Sequence, residues 1–547
     1  MQPKYFVRDA TGLVREFSSL DVLLFASAMV FALVFTTVQF PWFYGNTYGA
    51  NLPLSLVVAA IPFVFLMLAY WVVGLVMPRT GSDYVWVSRI LHPSIGFAWA
   101  MIYMVIIFLI AYAGEITSYA YAFSISLTTS GLVSNSASLT SAGAWWGGSG
   151  GTYLLALIFT GIFALFAIFG TRYIKGVIYI SWIAAIVGMI VMWYILGTTS
   201  TTTFVHNWNS LIASPSAYPN ANYSGLEQNG INMAQAAGAQ TTATGFNGLL
   251  IALPLASLFL FGGNYVNAFA GEIKNVRKTV PIALFLSLLF GIIYWSVTST
   301  LTLQTVGASW MQHVGYTYNN GGCSCLVTAP FPPSQPLVLA VAAYGNNALI
   351  YLMFTTYLVG SIAPLFAYFW IPSKYFFAWS FDRVIPNKFA SIYERFHTPW
   401  LAIIAVVAMA IVFSIPYAFY GWASTFTVGT VIWGILYVIP GIAVTIFPFV
   451  KKDLFERSPG FVKSKIGGLP IVSLIGIATT IGFAYLGYIG LSNALYGGGA
   501  VGVFNTFTYE LLIAIVVAGF VIYIASYYYH KSHGIDLSLA FKEIPPE

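Results

Sequence analysis

Charge is what this 547-residue chain lacks: only 7% of its residues are Asp, Glu, Lys or Arg. A soluble domain carries about 25% and needs them to cover its surface. That scarcity, set against 59% hydrophobic residues, excludes a soluble enzyme as well as a disordered or collagen-like chain. Cysteine is nearly absent too. Cys323 and Cys325 are the only two, which excludes a disulfide framework and supplies too few ligands for a metal site. They read as two thiols or as a tight, strained disulfide. No phosphate loop, Ser-His-Asp set or metal-spaced histidine cluster is visible, so no catalytic residue and no cofactor is expected.

Long apolar runs are abundant. A bilayer-spanning helix needs about 20 apolar residues, and such runs predict an all-α polytopic membrane protein with twelve transmembrane helices. The spans fall at 20–43, 52–77, 94–127, 151–170, 173–197, 246–271, 280–305, 336–378, 399–418, 422–450, 469–494 and 506–530. The third and eighth are too long for one upright crossing and predict strong tilt or extension beyond the bilayer. Residues 1–19 are polar and lack the features of a signal peptide, so the first run reads as an uncleaved span.

Placing the basic residues fixes an orientation. With twelve spans, all 21 lysines and arginines fall in the N-terminal segment, in the loops after even-numbered spans or the span ends that adjoin them, or in the tail. By the positive-inside rule this side is cytoplasmic, and both termini with it, in the plasma membrane. The formal charge of +6 therefore points to anionic membrane lipid, not to nucleic acid. The opposite loops, roughly 128–150, 198–245, 306–335 and 495–505, carry Glu227 as their only charge. Asn222-Tyr223-Ser224 is an N-glycosylation sequon in one of them.

Where the apolar runs are interrupted, function is expected. Phe261, Gly262, Gly263 and Asn264 lie in mid-span 6. Adjacent glycines there either line a cavity with freed backbone dipoles or allow close helix packing. The matching stretch of span 1, Ser27, Ala28 and Met29, has small and hydroxyl residues but no glycine. Glu115 is the acidic residue that lies well inside an apolar run; it could exchange protons, pair with a substrate amine, or sit at the outer interface of a tilted helix. Thr355, Thr356 and Ser361 in span 8 could coordinate sodium or bond back onto their own helix.

Four stretches carry a family resemblance. The run Phe259 to Pro281, ending Gly271-Glu272-Ile273-Lys274-Asn275-Val276-Arg277-Lys278-Thr279-Val280-Pro281, resembles the span-6 signature of the amino acid–polyamine–organocation permeases, with Val276 where a proline is usual. Pro78-Arg79-Thr80-Gly81-Ser82-Asp83-Tyr84 is similar to that family's loop after span 2, Phe381-Asp382-Arg383-Val384-Ile385-Pro386 to its loop after span 8, and the tail through Ile544-Pro545-Pro546-Glu547 to archaeal or bacterial members. The resemblance implies a LeuT-type core. Residues 20–197 (spans 1–5) and 246–450 (spans 6–10) would be inverted repeats joined by the outer loop 198–245. Residues 451–530 would hold the peripheral spans 11–12, with 1–19 and 531–547 cytoplasmic. It implies a secondary transporter importing amino acids by alternating access, coupled to protons or sodium. Substrate would sit on Ser27, Ala28, Met29, Phe261, Gly262, Gly263 and Asn264, with Leu258 and Asn264 at gating positions. A polyamine or organic-amine transporter, or a non-transporting nutrient sensor of the same fold, are the alternatives.

Overall fold

The computed structural model describes residues 13–30, 35–47, 50–214, 218, 221–238, 245–319, 333–420, 434–492 and 506–542. Cys323 and Cys325 lie outside the described residues. In chain order the main helices are α1 (Ser19–Val30), α2 (Phe35–Asn46), α3 (Leu52–Val76), α4 (Ser82–Ile90) and α5 (Pro93–Val133). Next come α6 (Ser149–Phe169), α7 (Thr171–Thr198), α8 (Gly245–Leu258), α9 (Val276–Val306) and α10 (Asn347–Gly360). The series ends with α11 (Ile362–Phe381), α12 (Trp400–Phe419), α13 (Val438–Val450), α14 (Ile471–Ser492) and α15 (Thr506–Ser532). Among the described residues, ten helical stretches are long and apolar enough to cross a membrane, and two shorter apolar helices, Ser19–Val30 and Gly434–Val450, accompany them. The all-α polytopic architecture is thus as the apolar runs predict.

Each helix has two faces. On α7, Ile180, Ile183, Val187, Ile190 and Tyr194 are exposed, while Ser181, Ala185, Gly188 and Met192 are buried. An exposed apolar stripe of this length is intelligible against lipid and not against water. The buried face is small, as close helix packing in a membrane requires. It meets α10, where a Cβ on Gly360 would lie 2.9 Å from the Ala185 Cα.

The two overlong runs resolve differently. The third is a single 41-residue stretch, widened at Met104–Ile110 into a π-helix. The eighth is not one tilted crossing. Residues 343–346 form a turn with Gly345 at φ +91°, Asn346 caps α10 by accepting from the Leu349 amide at 3.1 Å, and the helix breaks again at Ser361. Ser181 of α7 bridges that break: its hydroxyl donates to Gly360 O at 2.8 Å and accepts from the Ala363 amide at 2.9 Å.

α1 packs along α9, α3 lies between α9 and α14, and α15 leans on the start of α5 at the periphery. Between α14 and the preceding helices, Lys465–Ile466 and Leu469–Pro470 make a short antiparallel hairpin. Its turn is Gly467-Gly468, both at positive φ, as a two-residue hairpin turn requires.

Candidate functional site

The sixth apolar run changes conformation halfway. α8 ends at Leu258, a turn follows, and Gly263–Glu272 continues as a fully buried 3₁₀ helix. Gly262 between them has φ +116° and ψ −29°, a conformation open to glycine and strained for other residues. The glycine also permits a close approach, since a Cβ there would come within 2.6 Å of the Met29 Cβ. The last turn of α1 is therefore pressed against the interruption. Trp295 of α9 secures that turn by donating its indole N–H to Val30 O at 2.9 Å.

A cavity of about 10 Å³ lies at this junction, lined by Met29, Val30, Leu258, Phe259, Phe261, Trp295 and Tyr368. Such a volume holds about one water at most, so the junction is closed around a wall without an ionised side chain. Of the residues singled out in the sequence, Met29, Phe261 and Leu258 line it, and Gly262 abuts Met29. Ala28 is buried in α1. The Ser27 hydroxyl donates to Leu23 O at 2.8 Å and accepts from the Trp182 indole at 3.0 Å. Gly263 faces α9, where an added Cβ would collide with the Ser287 hydroxyl.

Asn264 opens a polar path away from the cavity. Its Nδ2 donates to the Tyr437 hydroxyl at 2.8 Å, and the Tyr437 and Tyr103 hydroxyls share a bond of 3.1 Å. Its Oδ1 is buried without a hydrogen-bond partner among the described residues. The rings of Tyr70 and Tyr375 flank this pair, at 6.2 Å from Tyr437 and 6.0 Å from Tyr103 respectively. Both carry their hydroxyls to one buried carboxylate: Tyr70 donates to Asp83 at 2.8 Å and Tyr375 at 2.6 Å. Burial pushes the Asp83 carboxyl up to about 6, against the lowering effect of those hydrogen bonds and of the Tyr84 amide.

Glu115 is 4% exposed, and its Oε1 has no hydrogen-bond partner among the described residues. Tyr368, on the cavity wall, and Tyr417 lie within electrostatic reach of it. The span-8 hydroxyls are placed otherwise. Thr356 donates to Leu352 O and Met353 O, Ser361 donates to Tyr357 O, and Thr355 is exposed. Asn222 is exposed and caps the helix Tyr223–Ala236, accepting from the Gly225 amide at 2.7 Å. No cluster of three potential metal ligands occurs among the described residues.

Among the described residues, three buried or half-buried ion pairs lie at one end of the molecule. Arg89 makes a bidentate pair with Asp382, both bonds 2.7 Å. Lys374 meets Glu272 at 2.5 Å, and Lys175 meets Asp21 at 2.9 Å with the Tyr179 hydroxyl on the same carboxylate. The Glu272 carbonyl accepts from the Glu16 and Phe17 amides, and Phe17 O accepts from the Lys274 amide. The N-terminal segment is thereby tied to the end of the interrupted helix. Sequence reasoning placed Arg89 and Lys374 among loop cations and passed over Asp83, Glu272 and Asp382. A signal existed for Lys374, which lies inside the apolar run that became α11.

Comparison with known proteins finds an amino acid permease family model matching residues 22–521. No curated protein matches the chain.

Proposed function

The chain belongs to the amino acid permease family, and from that premise we propose that it imports neutral, apolar amino acids across the plasma membrane by alternating access driven by a proton gradient. The observation that carries this reading is the interruption at Gly262, pressed against the last turn of α1 beside a closed apolar cavity. An interruption there frees backbone amides and carbonyls that can hold a substrate's carboxylate and ammonium. The side chains of Met29, Leu258, Phe259, Phe261 and Trp295 then select the substrate side chain. A polyamine would need anions opposite its ammonium groups, and this wall supplies none.

In this reading residues 20–197 and 246–450 are the inverted repeats of a LeuT-type core. The basic end, with both termini, is cytoplasmic. The ion pairs Arg89–Asp382, Lys374–Glu272 and Lys175–Asp21 close the cytoplasmic gate. Protons are favoured over sodium because Glu115 is a buried carboxylate with an unpartnered oxygen.

The test is uptake into liposomes holding the purified protein under an inward-directed pH gradient. Labelled leucine and phenylalanine should accumulate, arginine and putrescine should not, and a protonophore should abolish accumulation. Glu115→Gln should lower gradient-driven accumulation at least tenfold while leaving substrate exchange at equal pH. Preferential putrescine uptake would overturn the substrate class. Accumulation indifferent to the protonophore would overturn the coupling, and an unchanged pH response in Glu115→Gln would remove Glu115 from the proton path.

A further inference from the structure

At the basic end, a cavity of about 540 Å³ lies where the α4–α5 corner, the end of α13, the last turns of α15 and the C-terminal 3₁₀ turn Leu537–Phe541 meet. Its wall has two chemistries. His92, Lys451, Lys542 and Ser538 bring cations and polar hydrogen-bonding groups, and Tyr523, Ile524 and Tyr528 bring the aromatic and apolar side of α15. Arg89 also lines it, but its guanidinium is engaged by Asp382. The Asp536 carboxylate nearby accepts from the Ser538 amide at 2.9 Å and lies within electrostatic reach of Lys542 and Lys531. Lys451 has a different setting. Burial, together with the positive charge of Arg89, pushes its ammonium below the usual lysine range. An anion in the cavity would favour the charged form of this lysine, which burial disfavours.

The geometry also says where the anion comes from. Ile524 and Tyr528 line the cavity and are exposed on the outside of α15, at 49% and 62%. Ile513, Val517 and Val521 extend the same helix as exposed apolar surface away from the basic end. A ligand with a phosphate head and a hydrocarbon tail matches both parts of this surface, and a free phosphate matches only one.

We propose that this cavity seats the headgroup of an anionic phospholipid of the cytoplasmic leaflet, with Lys451 and Lys542 facing the phosphate and an acyl chain along the exposed stripe of α15. Occupancy would steady the C-terminal turn where it already covers the Arg89–Asp382 pair. There the Phe541 ring lies 5.0 Å from the guanidinium carbon, and Ala540 O accepts from Arg89 at 3.4 Å. The lipid would thus brace one of the ion pairs assigned above to the gate. The site itself depends on the membrane reading of α15, not on the transported substrate.

Native mass spectrometry of the detergent-purified full chain tests this without any transport measurement. The probes are phosphatidylglycerol, phosphatidylcholine of the same acyl chains, and inorganic phosphate. Phosphatidylglycerol should be retained in preference to phosphatidylcholine. Lys451→Ala should weaken its retention roughly fivefold and Lys451→Ala with Lys542→Ala roughly 30-fold, following the attraction of basic side chains to anionic lipid. Replacing both lysines with arginine should preserve retention, which separates loss of charge from loss of fold. Lys465→Ala, on the exposed hairpin, should change nothing. Equal retention of the two lipids, undiminished phosphatidylglycerol binding by the double alanine variant, or capture of inorganic phosphate without lipid would each overturn the proposal.

Discussion

At the scale of single residues, Gly262 carries the most specific consequence. Its φ of +116° costs an L-residue roughly 1–3 kcal/mol, and any Cβ also collides with Met29. Gly262→Ala should therefore reduce uptake sharply, and Gly262→Leu should abolish it while gel filtration still shows folded protein. Transport at the parent rate by Gly262→Ala would mean that the interruption does not hold the substrate. Asp83 makes a prediction of the opposite kind, in stability. Its carboxyl sits at about 6 against an ordinary 3.8, so the folded state favours the protonated form. The stabilisation is complete below pH 4 and is lost as pH rises through 6, a change of roughly 3 kcal/mol. An amide in place of this carboxyl cannot ionise. Thermal unfolding midpoints of parent and Asp83→Asn from pH 4 to 7 should move apart in the variant's favour over that interval, and parallel curves would refute the assignment. Gly262 was legible in the sequence because a backbone requirement shows in the residue type. Asp83 was not, since an aspartate in a polar loop motif gives no sign of burial by tyrosines from two other helices, Tyr70 and Tyr375.

At the scale of elements, the long apolar runs made the helices legible, and what the runs hid was their internal punctuation. The turn at 343–346 is written in Gly345-Asn346-Asn347, a turn signal that a hydropathy window passes over. The ion pairs were hidden for another reason: each joins elements remote in the chain. Arg89 lies in the last turn of α4 and Asp382 follows α11, so no local pattern links them. A buried pair left with one member is destabilised by about 3–5 kcal/mol, whereas an apolar replacement of both is nearly neutral. Asp382→Asn should accordingly lower the thermal midpoint well below that of the parent, and Arg89→Met with Asp382→Leu should recover most of the loss. If the double variant is as unstable as the single one, packing around α4 and not the charge pair holds that corner.

At the scale of the whole molecule, the two ends of the described chain converge. Phe17 bridges to Ile273, and Ala540 O accepts from Arg89. Arg89 and Glu272 are both joined to the C-terminal half of α11 or the residue after it, through Asp382 and Lys374. Residues 17 and 540 therefore lie at the same end of the helical body, which requires an even number of crossings between them. That agrees with a sequence whose 21 basic residues all sort to one side of twelve spans. In the proposed reading the basic end faces the cytoplasm, because cationic loops resist translocation. Single cysteines test it in a background where Cys323 and Cys325 are replaced by serine. Lys465→Cys lies on the exposed hairpin at the basic end, and Ser138→Cys on an exposed position of the nearly uncharged opposite face. A membrane-impermeant maleimide should label Ser138→Cys on intact cells and leave Lys465→Cys untouched until the membranes are inverted. The reverse pattern would turn the protein over and place the ion pairs at the outer gate.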